Sequence, residues 1–174
     1  GDEGMDKTEV TMKNITIENA QYNAKVGGAM YIVGDATLNL EDSTFTNNVA
    51  GSERIFFNGG GAIYLNSHGL KPEEGRSILN ATNTTFTGNS TGNGGGGALM
   101  ALNGDIFLNN CTLTDNKSMS EMGVGGAIAL RGASELVVDG STITGNEATV
   151  AGGGIYVFDG ESLYLHYPKE DLSV

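Results

Sequence analysis

Apolar and polar residues alternate along this chain in short runs, and the runs come in sets of three. The first kind opens on two glycines and a small residue: Gly27-Gly28-Ala29-Met30-Tyr31-Ile32, Gly60-Gly61-Ala62-Ile63-Tyr64-Leu65, Gly96-Gly97-Ala98-Leu99-Met100-Ala101, Gly125-Gly126-Ala127-Ile128-Ala129-Leu130 and Gly152-Gly153-Gly154-Ile155-Tyr156-Val157. A turn follows, then a second run such as Leu38-Asn39-Leu40-Glu41, Ile106-Phe107-Leu108-Asn109 or Leu163-Tyr164-Leu165-His166. The third run is Ser43-Thr44-Phe45-Thr46-Asn47-Asn48, Thr84-Thr85-Phe86-Thr87-Gly88-Asn89, Cys111-Thr112-Leu113-Thr114-Asp115-Asn116 and Ser141-Thr142-Ile143-Thr144-Gly145-Asn146. Period-two alternation marks half-buried strands, and no helical period competes with it.

The second glycines fall at 28, 61, 97, 126 and 153, so the repeat advances by 33, 36, 29 and 27 residues. Units of that size cannot bury their apolar face alone and stack on one another. The pattern predicts an all-β, right-handed parallel β-helix, a single solenoid domain over residues 1–174, with about six rungs of three short strands. Residues 1–9 and 166–174 are its edges. The step from Phe45 to Phe86 is longer than the others and places insertions at 51–58 and 67–76. Solenoids put such insertions on their faces.

Stacking gives each column a task. Met30, Ile63, Leu99, Ile128 and Ile155 are expected inside, as are Phe45, Phe86, Leu113 and Ile143. Asn48, Asn89, Asn116 and Asn146 are expected to turn inward at a corner, where their amides bond one another and the turn backbone. Gly28, Gly61, Gly97, Gly126 and Gly153 permit a corner where a Cβ would clash.

Two outward arrays are candidate binding surfaces. Alternation turns Tyr31, Tyr64, Met100 and Tyr156 away from the core, with Ala29, Ala62, Ala98 and Ala127 beside them. Together they form an uncharged stripe that either docks a partner or shields strand edges beneath a covering loop. The third strands expose Thr44/Thr46, Thr85/Thr87, Thr112/Thr114 and Thr142/Thr144 as two files. Their spacings, ~6.5–7 Å along a strand and ~4.8 Å between rungs, resemble the threonine rows of β-helical antifreeze proteins. Thr also suits an exposed strand on its own account.

Composition narrows the partners. A net charge of −12 on 174 residues repels nucleic acid and anionic membrane. One cysteine, Cys111, excludes an internal disulfide. No apolar run approaches the ~20 residues of a membrane helix, and no export signal opens the chain; signal and anchor are expected outside it. No cofactor is expected. Asp35, Asp105, Glu135 and Glu161 lie near corresponding corners, and calcium is the metal such oxygen ligands would suit. His68 and His166 have no periodic acid partner, so the chain does not read as an enzyme. Gly94-Gly95-Gly96-Gly97 lacks the helix a phosphate loop requires. The Asn-x-Ser/Thr triplets at Asn80, Asn83 and Asn110 follow from an Asn/Thr-rich composition, and those at Asn89 and Asn116 coincide with inward corners.

The glycine-glycine-alanine-apolar phrase alternating with a Phe-x-x-Asn phrase resembles the repeats of the chlamydial polymorphic membrane proteins and of adhesin-like surface proteins. Phe45 to Asn48 and Phe86 to Asn89 match in full; Leu113 to Asn116 and Ile143 to Asn146 are conservative variants. The resemblance implies a surface-exposed or secreted autotransporter passenger, displayed from an outer membrane, that attaches to a host protein or glycan receptor and serves virulence. The expected function is therefore adhesion, through the apolar stripe or the two insertions. Ice binding through the threonine files and a purely structural stalk are the alternatives.

Overall fold

The computed structural model describes residues 7–23, 26–51, 59–67, 75–92 and 94–158. The described chain winds through five rungs of four strands. Rung one is β1 (Thr8–Lys13), β2 (Thr16–Glu18), β3 (Gln21–Tyr22) and β4 (Met30–Val33). Rung two is β5 (Ala36–Glu41), β6 (Thr44–Thr46), β7 (Val49–Ala50) and β8 (Ile63–Asn66). Rung three is β9 (Ile78–Thr82), β10 (Thr85–Thr87), β11 (Ser90–Thr91) and β12 (Leu99–Leu102). Rung four is β13 (Asp105–Asn109), β14 (Thr112–Thr114), β15 (Lys117–Ser118) and β16 (Ile128–Arg131). Rung five is β17 (Leu136–Asp139), β18 (Thr142–Thr144), β19 (Glu147–Ala148) and β20 (Ile155–Phe158).

Each strand pairs in parallel with its counterparts one rung away, giving four five-stranded sheets. Sheet 1 runs β1-β5-β9-β13-β17, sheet 2 β2-β6-β10-β14-β18, sheet 3 β3-β7-β11-β15-β19 and sheet 4 β4-β8-β12-β16-β20. The fold class is the parallel β-helix that the repeat predicts, with one correction: each rung has four strands, not three. The additional strand is the two-residue segment after each corner asparagine, or after Ala20 in rung one, too short for alternation to declare. The described residues form five rungs, and the run 163–166, expected to open a sixth, lies outside them.

Like residues lie over like. Phe45 pairs with Phe86, and Phe86 with Leu113; the two rings stack with centroids 5.2 Å apart. Leu38, Leu79, Ile106 and Leu136 from sheet 1 and Ile63, Leu99 and Ile128 from sheet 4 complete one continuous core. Asn48, Asn89, Asn116 and Asn146 stand in file at the corner between sheets 2 and 3. The Asn48 backbone N–H and its Nδ2 both donate to Asn89 Oδ1, at 3.0 and 2.9 Å. Asn89 repeats this toward Asn116, and Asn116 toward Asn146. Each Nδ2 also donates back to a strand carbonyl, of Ile17, Phe45, Phe86 or Leu113. Asn48, Asn89 and Asn116 are wholly buried, and these bonds meet the hydrogen-bonding demand of an amide that burial would otherwise penalise. At Ala20, where the file has no asparagine, the backbone N–H still donates to Asn48 Oδ1.

The first alternating run does not start where the sequence suggests. The Ala62 carbonyl accepts from both Ala29 N and Met30 N, and the Ala98 and Ala127 carbonyls do the same one rung on. Two successive donors on one acceptor is a bulge, which resets the alternation. Ala62, Ala98 and Ala127 therefore lie in the core and not on the surface. The glycine before each sits under the next rung: a Cβ on Gly61 would collide with the Gly97 carbonyl and with the Ser90 backbone.

Candidate surface-binding site

Sheet 4 carries two outward columns. The first is Tyr31, Tyr64, Met100, Ala129 and Tyr156; the second is Val33, Asn66, Leu102, Arg131 and Phe158. The in-register pairing brings Tyr31, Tyr64, Met100 and Tyr156 into one file, but most of that file is not open. Tyr64 is 2% exposed and Met100 1%. They form a second apolar cluster with Ala129 and Val124, against which Val26, Ala151, Leu102 and Tyr156 pack. Val26, Val124 and Ala151 come from the connections between the two-residue strands and sheet 4. These connections fold back over the stripe and cover its centre. The expectation of a continuous exposed apolar stripe is thus corrected: the residues leave the core wall and meet a second layer, not water. Burial, followed by the neighbouring Tyr31, pushes the Tyr64 phenol well above the usual tyrosine range, so it stays neutral.

What remains open is one end of the file. Tyr31 is 42% exposed and Val33 47%. The Tyr31 ring stacks on Tyr64 with centroids 5.3 Å apart and planes 11° from parallel. Asn66 Nδ2 donates to the Tyr31 hydroxyl at 3.4 Å. At the other end Tyr156 is half-buried, and the Arg131 guanidinium lies 5.2 Å from the centroid of Phe158. Packing against a buried neighbour fixes the Tyr31 ring, so its outer face is a preorganised aromatic surface with a polar rim.

The threonine files are the second array. Thr16, Thr44, Thr85, Thr112 and Thr142 pair in unbroken register, and Thr46, Thr87, Thr114 and Thr144 run parallel to them behind Glu18. Thr16, Thr142 and Thr144 are exposed and the other six are half-buried. No large side chain interrupts this lattice.

Among the described residues the candidate metal ligands do not converge. Asp105 Oδ1 already accepts from Arg76 Nη1 at 2.7 Å and from the Glu135 backbone N–H at 3.0 Å. Lys7 Nζ lies 3.9 Å from Asp35 Oδ1. Among the described residues no three His, Cys, Asp or Glu side chains could hold a metal ion together. Glu161, His68 and His166, and the bulk of the insertions at 51–58 and 67–76, lie outside the described residues. Among the described residues no helix is long and apolar enough to cross a membrane.

Sequence reading missed one set of residues that shapes this surface. Asn14, Asp42, Asn83, Asn110 and Gly140 all adopt left-handed φ, between 48° and 54°, at the turn from sheet 1 to sheet 2. Asn19, Asn47, Gly88, Asp115 and Gly145 do so at the turn into sheet 3. Asn, Asp and Gly are the residues that tolerate this conformation. Their recurrence at a fixed offset was the available signal.

Comparison with known proteins agrees with this geometry. Over 112 residues the chain is 34% identical to the probable autotransporter YfaL of Escherichia coli K12, covering 64% of this chain and 8% of that protein. The chain thus spans a small fraction of the relative's length. No solved structure matches it. The family model described as the right-handed β-helix region matches residues 54–167, and with four in-register parallel sheets the chain belongs to that family.

Proposed function

We propose that this chain is part of a surface-displayed passenger β-helix that binds a host receptor or glycan, and that it acts by binding, not catalysis. The observation that carries the reading is Tyr31, stacked on a buried tyrosine and open to solvent on its other face beside Val33 and Asn66. An aromatic face held rigid beside hydrogen-bonding groups suits the apolar face and hydroxyl rim of a sugar, or a protein side chain of the same character. Similarity to a probable autotransporter supports display at the cell surface, and the resemblance to the chlamydial polymorphic membrane proteins supports attachment to host cells. The net charge of −12 weighs against nucleic acid as the partner.

Tyr31→Glu with Val33→Glu is the informative variant, because both residues are exposed; Tyr64→Glu would bury a charge and unfold the site. The double variant should lose at least tenfold in saturable binding to host cells or immobilised glycans while keeping the β-sheet circular dichroism spectrum and cooperative melting of the parent. Binding equal to the parent would remove this face from the account, and no saturable binding by the parent would leave a stalk.

A second reading rests on the threonine lattice, whose two files keep register over successive rungs. It makes sheet 2 an ice-binding face. It predicts thermal hysteresis that Thr85→Tyr abolishes; ordinary ice growth in the presence of the parent chain would end it.

A further inference from the structure

The chain holds six Asn-x-Ser/Thr triplets, beginning at Asn14, Asn80, Asn83, Asn89, Asn110 and Asn116. The fold sorts them. Asn89 and Asn116 are wholly buried, and the Nδ2 of each already donates to a strand carbonyl and to the next asparagine. Asn80 sits in the middle of β9, half-buried between Asn39 and Phe107, and its Nδ2 donates to Asn39 Oδ1 at 2.8 Å. The other three differ. Asn14, Asn83 and Asn110 are exposed, occupy the same turn position in rungs one, three and four, and share left-handed φ values of 53°, 49° and 50°.

The rest of each triplet is presented alike. The middle residue faces inward: Ile15 packs against the core, and Thr84 and Cys111 are buried. The third residue, Thr16, Thr85 or Thr112, lies on the outer face of sheet 2 in one file. With its middle residue pinned inside, each triplet turns both its amide and its hydroxyl outward, the two groups by which an asparagine glycosyltransferase recognises its acceptor. The Asn83 amide donates to Asp42 Oδ1 at 3.0 Å, but that bond is exposed and water replaces it at little cost.

We propose that Asn14, Asn83 and Asn110 form a column of N-glycosylation acceptor sites in the folded chain. In the reaction the asparagine Nδ2 forms a C–N bond to the anomeric carbon of a glycosyl phosphate donor. The bond from that carbon to the phosphate oxygen breaks, the phosphate-bearing group departs, and the amide nitrogen gives up one proton. The donor is a nucleotide sugar or a lipid-linked oligosaccharide, which share this chemistry. None of the three sites stands on sheet 4, so the proposal and the adhesive reading stand or fall separately.

The test presents the purified, folded chain to two enzymes. One is a soluble asparagine glycosyltransferase supplied with a nucleotide sugar; the other is an oligosaccharyltransferase supplied with a lipid-linked donor. Glycopeptide mass spectrometry then reads occupancy at all six triplets. The expected result is modification at Asn14, Asn83 and Asn110 in at least one arm, which identifies the donor class, and at least tenfold lower occupancy at Asn80, Asn89 and Asn116. Thr16→Val, Thr85→Val and Thr112→Val should each silence their own site alone. Asn83→Gly and Asn110→Gly should do so with the melting temperature preserved, because rung five already carries Gly140 at this turn. No modification in either arm, or modification of Asn89 and Asn116 as readily as of the exposed three, would overturn the proposal.

Discussion

Rungs three and five carry the same phrases at the same positions, yet equivalent residues meet different surroundings. In rung three Phe86 and Leu99 are fully buried; in rung five Ile143 and Ile155 are half-buried. A Cβ on Gly97 would collide with the Gly126 carbonyl and come within 2.5 Å of the Lys117 backbone nitrogen, whereas on Gly153 the closest atom among the described residues would be the Asn146 carbonyl at 3.3 Å. The demand for glycine is thus not intrinsic to the corner. It is imposed by the rung stacked beyond it, as expected where stability is a sum of unit and neighbour terms.

The largest effect that would break this comparison is steric. Gly97→Ala should cost about 3 kcal/mol or more, because the obstruction is backbone and cannot swing aside, while Gly153→Ala should stay within about 0.5 kcal/mol. Denaturant melts of the two variants check this; equal losses would mean that the corner itself requires glycine. A smaller contrast lies in the asparagine file. Asn89→Ala leaves the Asn48 donors and the Phe45 carbonyl buried without partners, for about 3 kcal/mol. Asn146→Ala strands the Asn116 donors and the Leu113 carbonyl beside a half-exposed position, where water can take the place of the lost amide, and should cost about 1 kcal/mol. Thermal melts of this pair sharpen the comparison, and a reversed order would contradict it.

The fold class was legible because two signals coincide once per rung: the glycine pair before an alternating run, and Phe-x-x-Asn after it. The fourth strand was not, because Val49–Ala50, Ser90–Thr91 and Lys117–Ser118 are two residues each, too short to show a period. Their inward members, Ala50, Thr91 and Ser118, are small and buried, and only that hinted at a further wall.

The open stripe was misjudged for a different reason. Alternation tells which side of a strand a residue leaves from, but not whether something covers that side. The covering residues Val26, Val124 and Ala151 each stand directly before the glycine pair, but Gly59 and Gly95 hold that position in the other two copies, so the repeat showed no continuous apolar column there. Cys111 illustrates the reverse case. As an isolated thiol it is uninformative. In the structure it occupies the column of Ser43, Thr84 and Ser141, whose hydroxyls donate to the carbonyl two residues earlier. The Cys111 thiol does the same toward Asn109 and also donates to the Ala81 carbonyl at 3.3 Å. Burial pushes its pKa up, keeping the thiol protonated for that role.

Amide hydrogen exchange tests the central claim most directly, that each rung is held by its neighbours on both sides. The Thr85 and Thr142 amides make the same bond to the preceding rung, to Ser43 at 2.9 Å and to Cys111 at 2.8 Å, one in the middle of the stack and one in its last described rung. The account predicts at least tenfold slower exchange at Thr85; equal rates, or slower exchange at Thr142, would contradict it.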